Sequence, residues 1–125
     1  MHDFRKLDVW EKSMQLATNV YALTSTYPDT EKYGLISQMR RSSVSIPSNI
    51  AEGAGRNHNK EFAQFLSISM GSAFELETQV LLSIRLNLIK KENVKHILEE
   101  LESICKMLNV LKQRFTKICP PDTNL

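Results

Sequence analysis

Glu77 is the side chain whose type and position invite a chemical role. At about 100° per residue it falls between Ala73, Leu81 and Ile84, inside the apolar arc of a helix. A carboxylate placed there requires a cation or several hydrogen bonds. Arg40, which flanks the apolar face of the preceding helical segment, is the expected partner. The pair reads as a buried polar tether that fixes helix register; the alternative is catalysis by Glu77 or Glu52. Glu75 falls on the outer side of the same helix. A ferritin-like di-metal centre requires Glu-x-x-His pairs on facing helices. His58 and His96 instead follow Gly55 and Asn93 at that spacing, and His2 has no residue three before it. No His/Cys group has zinc spacing. Gly53-Ala54-Gly55 lacks the Lys-Ser/Thr of a phosphate loop, and the serine-rich stretch of residues 42–48 has no histidine base. The expectation is therefore no enzyme, no cofactor and no metal.

The segment from Lys32 to Lys60 carries five cations (Lys32, Arg40, Arg41, Arg56 and Lys60) against the single carboxylate of Glu52, while the rest of the chain is slightly acidic. Arg56 and Lys60 bracket a turn that enters a helix, where unpaired backbone amides also favour anions. Arg40, Arg41, Arg56 and Lys60 are thus the candidate contacts to nucleic-acid phosphate. No aromatic residues interleave with these charges, so stacking on single-stranded bases is not indicated.

Arg41, Ser45, Ser48 and Glu52 recur at i, i+4, i+7 and i+11, with Asn49 beside them. They line one helical stripe of short polar side chains between two charges. A solvated helix face ordinarily carries Lys and Glu, which favour helix more than Ser and Asn do. This stripe is expected to be an oligomer interface, with Arg41 and Glu52 pairing along or across it.

Four helical segments have to position these residues. The first spans about 8–25, opens on an Asp8/Glu11 capping-box spacing, and carries Trp10, Met14, Ala17 and Tyr21 on one stripe flanked by Val9, Leu16, Val20 and Leu23. The second spans about 30–54, with Leu35, Met39, Ser43, Ile46 and Ile50 inward. Pro47 is expected to kink it, and Gly53 and Gly55 to end it in a left-handed cap. The third spans about 59–87. It has one stripe of Phe62, Leu66, Ser69, Ala73, Leu76, Val80 and Ser83, and a second of Met70, Phe74, Leu81, Ile84 and Leu88. Gly71, with Ser69, Ser72 and Ala73, is expected to admit a neighbouring helix closely. The fourth spans about 92–117, its seam running through Val94, Ile97, Leu101, Ile104, Leu108, Leu111, Phe115 and Ile118. Cys119-Pro120-Pro121 stops it, and residues 119–125 are expected to form a loose tail. Four helices with short links give an all-α fold, an antiparallel up-and-down four-helix bundle.

Composition agrees. The chain has 125 residues, 42% apolar and 24% charged, which suits a single globular domain over 1–125. Four glycines and four prolines are too few for the turns of a sandwich or barrel. The formal net charge of +2 permits a nucleic-acid partner without specifying one. The longest apolar stretch, Val80 to Ile89, contains Arg85 and Asn87 and is far below a bilayer span. The first residues are charged where a signal peptide is apolar. Cys105 and Cys119 read as free thiols, and a cytoplasmic location is expected.

The run Ser45-Ile46-Pro47-Ser48-Asn49-Ile50-Ala51-Glu52-Gly53, preceded by Gln38-Met39-Arg40-Arg41, resembles the signature of the 23S rRNA intervening-sequence protein family, also called four-helix bundle proteins. Leu7-Asp8-Val9-Trp10, Glu61-Phe62, Phe65-Leu66, Gly71-Ser72 and Glu75-Leu76-Glu77-Thr78 extend the likeness from about Phe4 to Phe115. His58 departs from it, standing where that family tends to have a serine cap; Asn57 or Asn59 is the substitute. The resemblance implies a small helical bundle without enzymatic activity, of a kind often encoded within insertions of bacterial large-subunit rRNA genes. It also implies relatives that serve the reverse transcriptase of diversity-generating retroelements as ring-shaped homopentamers with a basic surface, binding nucleic acid and the polymerase. Two readings follow from residues and resemblance together. One is a non-enzymatic homo-oligomer, a pentamer by resemblance, that binds structured RNA or a nucleoprotein. The other is a protein-interaction adaptor, for example to a reverse transcriptase, with no direct nucleic-acid contact and no membrane partner.

Overall fold

The computed structural model describes residues 1–116. Four antiparallel helices follow one another in a bundle: α1 (Asp8–Thr24), α2 (Leu35–Ala54), α3 (Asn59–Arg85) and α4 (Lys91–Thr116). Short 3-10 turns at Phe4–Lys6 and Asp29–Glu31 precede α1 and α2. Each helix packs on its neighbours in chain order and α4 closes on α1, so the α1/α2 and α3/α4 sides lie on opposite flanks. Among the described residues there is no β-strand. The expected tail at 119–125, with Ile118 and Cys119, lies outside the described residues.

Helical periodicity translates directly into burial for three of the four helices. Leu35, Met39, Ser43, Ile46 and Ile50 of α2 are buried, as is the first stripe of α3 from Phe62 to Ser83. The seam of α4 is buried from Val94 to Leu111, with Phe115 half-buried at its end. In α1 the stripe is rotated from expectation. Val9, Ser13, Leu16, Ala17, Val20 and Thr24 face the core, whereas Met14 and Tyr21 are exposed and Trp10 half-buried. Both stripes are apolar, and only the packed partner determines which one turns inward.

Several local expectations are corrected. No side chain caps α1: Leu7 is the cap position and Asp8 the first helical residue. His58 precedes α3 without a side-chain cap, and neither Asn57 nor Asn59 provides one. Helix α2 starts at Leu35, because the chain after Pro28 forms a separate 3-10 turn. It then runs unbroken past Pro47. Gly55 follows α2 at φ −82°, so no left-handed cap forms, and Gly53 lies inside the helix.

Gly53 has a different role. A Cβ built there would stand 2.7 Å from the Phe65 Cβ and 2.9 Å from the Phe62 ring, closer than real atoms approach. Gly71, expected at the close approach, faces open space. Small polar side chains continue the α2–α3 seam. Ser69 donates to the Ile46 carbonyl at 2.9 Å, and the Ser45 and Ser72 hydroxyls share a hydrogen bond of 2.8 Å.

The two glycines therefore separate packing from propensity. Gly53→Ala should destabilise by about 1–3 kcal/mol through overpacking, whereas Gly71→Ala should stabilise by up to about 1 kcal/mol through helix propensity. Denaturant unfolding of both variants checks this. Tyr27 supplies a second test. It is buried, its hydroxyl has no hydrogen-bond partner among the described residues, and the neighbouring Ser83 donates to the Gln79 carbonyl instead. Burial, reinforced by the Glu31 carboxylate, pushes its phenol above the usual range. A raised folded-state value means stability present at neutral pH and lost as pH climbs past about 10. Tyr27→Phe should keep neutral-pH stability and lessen that alkaline loss, read from unfolding curves between pH 7 and 11.

Candidate functional site

The turn from α2 into α3 brings four separate parts of the chain to one end of the bundle: residues 1–8, the end of α2, the start of α3 and the end of α4. The His2 amide donates to the Ala54 carbonyl at 2.8 Å, which ties the N-terminal segment across this end. The His2 ring packs on Phe62 and Phe115 at 5.3 and 5.4 Å, and those two rings stack at 4.7 Å. The aromatic rings here are thus engaged with one another.

Cations surround this closed end. Lys60 and Lys112 border a shallow groove with Ala63, Ser67 and Phe115. Lys6, Lys106 and Arg114 border a second groove floored by Leu7, Met107 and Val110. Lys106 pairs with Glu102 at 3.6 Å, and Arg56 pairs with Glu52 at 2.8 Å while lying over the Phe65 ring. Among the described residues, Lys6, Lys60, Lys112 and Arg114 have no carboxylate within ion-pair distance. Asp8 and Glu61 share this end, so the positive excess is moderate. Lys6, Lys112 and Arg114 lie outside the charge-rich segment read from the sequence. Only the antiparallel topology sets them beside Lys60, and no local spacing signals it.

The four cations expected to act together are not brought together. Arg40 and Arg41 lie some fifteen residues from Arg56, about 24 Å along α2 at 1.5 Å per residue. Arg40 is also engaged elsewhere. Its Nε donates to Thr24 Oγ1 at 2.8 Å, its Nη2 to the Tyr21 carbonyl at 3.3 Å, and its guanidinium lies 4.5 Å from the Tyr21 ring centroid. It thereby satisfies carbonyls at the negative end of α1.

Glu77 is exposed and makes no hydrogen bond or ion pair among the described residues, so the buried Glu77–Arg40 tether does not exist. The reason is visible beside it: Phe74 and Leu81, 52% and 45% exposed, show that the second stripe of α3 is not core here. The polar side chains that are buried in α3 are Ser69, Ser72, Gln79 and Ser83. The expected interface stripe is divided. Arg41, Ser48 and Glu52 are exposed, but Ser45 bonds Ser72 across the α2–α3 seam, and Asn49 donates to the Ser45 carbonyl at 2.8 Å. Glu52 pairs with Arg56, one turn on, and not with Arg41.

A reactive centre is not assembled from these groups. Burial and then the Glu77 carboxylate hold the Cys105 thiol above its usual range, the reverse of nucleophile activation. Among the described residues no group of three His, Cys, Asp or Glu could hold a metal, and no helix is long and apolar enough to cross a membrane. The remaining surface feature is an apolar groove between α1 and α2, lined by Phe4, Trp10, Met14, Tyr21, Val44 and Pro47.

The Arg40 and Glu77 geometries predict opposite mutational costs. Arg40→Ala should destabilise by about 1–2 kcal/mol, because it strips charge-assisted hydrogen bonds from α1. Glu77→Gln should stay within about 0.5 kcal/mol, the level of a surface change. Equal effects in urea unfolding would show that Glu77 is held after all.

A family model described as 23S rRNA-intervening sequence protein matches residues 5–110. Among solved structures, the chain is similar to a crystal structure of a protein with unknown function from the S23 ribosomal protein family of Bacteroides thetaiotaomicron. The TM-score is 0.77 and the identity 25%, covering 84% of this chain and 95% of that one. No curated protein matches the chain.

Proposed function

This chain belongs to the 23S rRNA-intervening sequence protein family, and we propose that it is a cytoplasmic, non-enzymatic, self-associating bundle that binds structured RNA, or a particle containing it, through the cations at the Arg56 end. The observation that carries this reading is the convergence of Lys6, Lys60, Lys112 and Arg114, from four parts of the chain, without carboxylate partners among the described residues. Cations released from internal pairing are available to displace the counterions condensed on a phosphate backbone. The rings at this end are stacked on each other, which suits recognition of helical shape and phosphate more than stacking on splayed bases. The apolar α1/α2 groove favours the second reading, an adaptor that meets a protein such as a reverse transcriptase and leaves nucleic acid to that partner.

Salt dependence separates them. Binding of a labelled RNA hairpin between roughly 50 and 300 mM salt should weaken steeply, with a log–log slope set by the number of phosphate contacts. Lys112→Ala with Arg114→Ala should reduce that slope by about two units, one per lost phosphate contact. No binding at the lowest salt, or an unchanged slope, assigns the protein to the adaptor reading.

A further inference from the structure

The bundle carries two apolar faces on opposite flanks. On one, Phe4, Trp10, Met14, Tyr21, Val44 and Pro47 line the recessed α1/α2 groove. On the other, Phe74 and Leu81 of α3 stand beside Leu98 and Cys105 of α4, with Glu77, Glu99 and Glu102 around them against Lys95 and Lys106. The side chains that project from the second face are 52% and 45% exposed. Large apolar side chains on two opposite flanks are surplus to what a monomeric bundle needs to cover.

We propose that the α3/α4 face of one copy seats in the α1/α2 groove of a second copy, a heterologous contact between bundles lying side by side in the same direction. This rests on the self-association read above and names the surfaces that meet. Charge agrees with it. The α3/α4 face has an acidic excess, while Arg41 beside the groove is exposed and without a carboxylate partner among the described residues.

Height along the bundle agrees as well. The Ser45–Ser72 hydrogen bond marks one level on both helices. From it, toward the α1–α2 turn, Phe74 lies about 3 Å along α3 and Val44 about 1.5 Å along α2. In the same direction Glu77 lies about 7.5 Å along α3 and Arg41 about 6 Å along α2. Rotation about an axis parallel to the bundle preserves height. Copies related in that way set Phe74 at the level of the neighbour's Val44 and Glu77 at the level of its Arg41. A two-fold contact of the groove with itself would leave Phe74 and Glu77 unused. A head-to-tail contact of unlike faces closes into a ring when its rotation divides the circle.

The test uses the full chain and light scattering at tens of micromolar. The wild type should exceed monomer mass. Phe74→Glu and Val44→Glu should each be monomeric while keeping helical circular dichroism. An equimolar mixture of the two should form a dimer and stop there, because one intact ridge meets one intact groove. Arg41→Glu should weaken assembly at least about tenfold in Kd, and adding Glu77→Arg should restore it. Should either glutamate variant fail to fold, Phe74→Ala and Val44→Thr take its place. A wild type that assembles while Phe74→Glu assembles equally, or a mixture that stays monomeric, overturns the face-to-groove contact alone. A monomeric wild type overturns self-association itself and leaves RNA binding to its own salt series.

Discussion

The close approach of α2 to α3 at Gly53 is the constraint on which the rest of the architecture depends. No side chain fits between the α2 backbone and Phe62 and Phe65 at that point. Along the same seam the helices exchange small hydroxyls, Ser45 with Ser72 and Ser69 with Ile46, where most bundles place Leu or Ile. Each of these hydroxyls is satisfied, so the seam is tight without leaving buried polar groups orphaned. The interaxial distance of a helix pair follows the size of the contacting side chains. Small residues therefore draw α2 toward α3. On its other side, Trp10, Met14 and Tyr21 meet α2 only at the rim, and a groove remains between α1 and α2.

What the sequence made legible follows from how one-sided each helix is. In α4 the apolar positions form a single seam with charges elsewhere, and the buried set matches it from Val94 to Leu111. In α2 the inward row of Leu35, Met39, Ser43, Ile46 and Ile50 is equally legible, because apolar residues of a single period admit one facing. In α1 two apolar stripes compete. The choice between Trp10–Met14–Tyr21 and Val9–Leu16–Val20 is made by α2 and α4, which no window of α1 contains. Glu77 failed for the same reason. An apolar arc on a helical wheel becomes core only where a partner helix covers it, and α4 leaves Phe74 and Leu81 half exposed beside it.

The charged surface was less legible than the core, and the reason is topological. Charges clustered along a segment need not be neighbours in space, because a helix of twenty residues carries its ends about 30 Å apart. Arg40 and Arg41 are separated in this way from Arg56, and Arg40 is held against Tyr21 and Thr24. Charges far apart in the chain become neighbours when antiparallel helices return to the same end, as Lys6, Lys60, Lys112 and Arg114 do. The serine-rich run of α2 was legible as unusual, but its meaning was divided. Ser45 and Asn49 serve the internal seam and Ser48 the outer surface.

The direction of the side-by-side contact bears on the basic end. Copies that keep a common direction present every Arg56 end on one face of the assembly, whereas a two-fold contact with its axis across the bundle sends them to opposite faces. A single copy offers only a few unpaired cations and a moderate excess, a weak electrostatic anchor at physiological salt. Repeated on one face, the same few cations become a polyvalent surface. Once one copy engages an RNA helix, its neighbours meet the adjoining phosphates at high effective concentration, which raises avidity without any new contact type. Each copy then has little need of a concentrated basic patch, and a net charge of only +2 on the chain is compatible with binding a polyanion. The apolar flanks and the basic end are in this way parts of one arrangement: the flanks set the direction in which copies line up, and that direction gathers the cations.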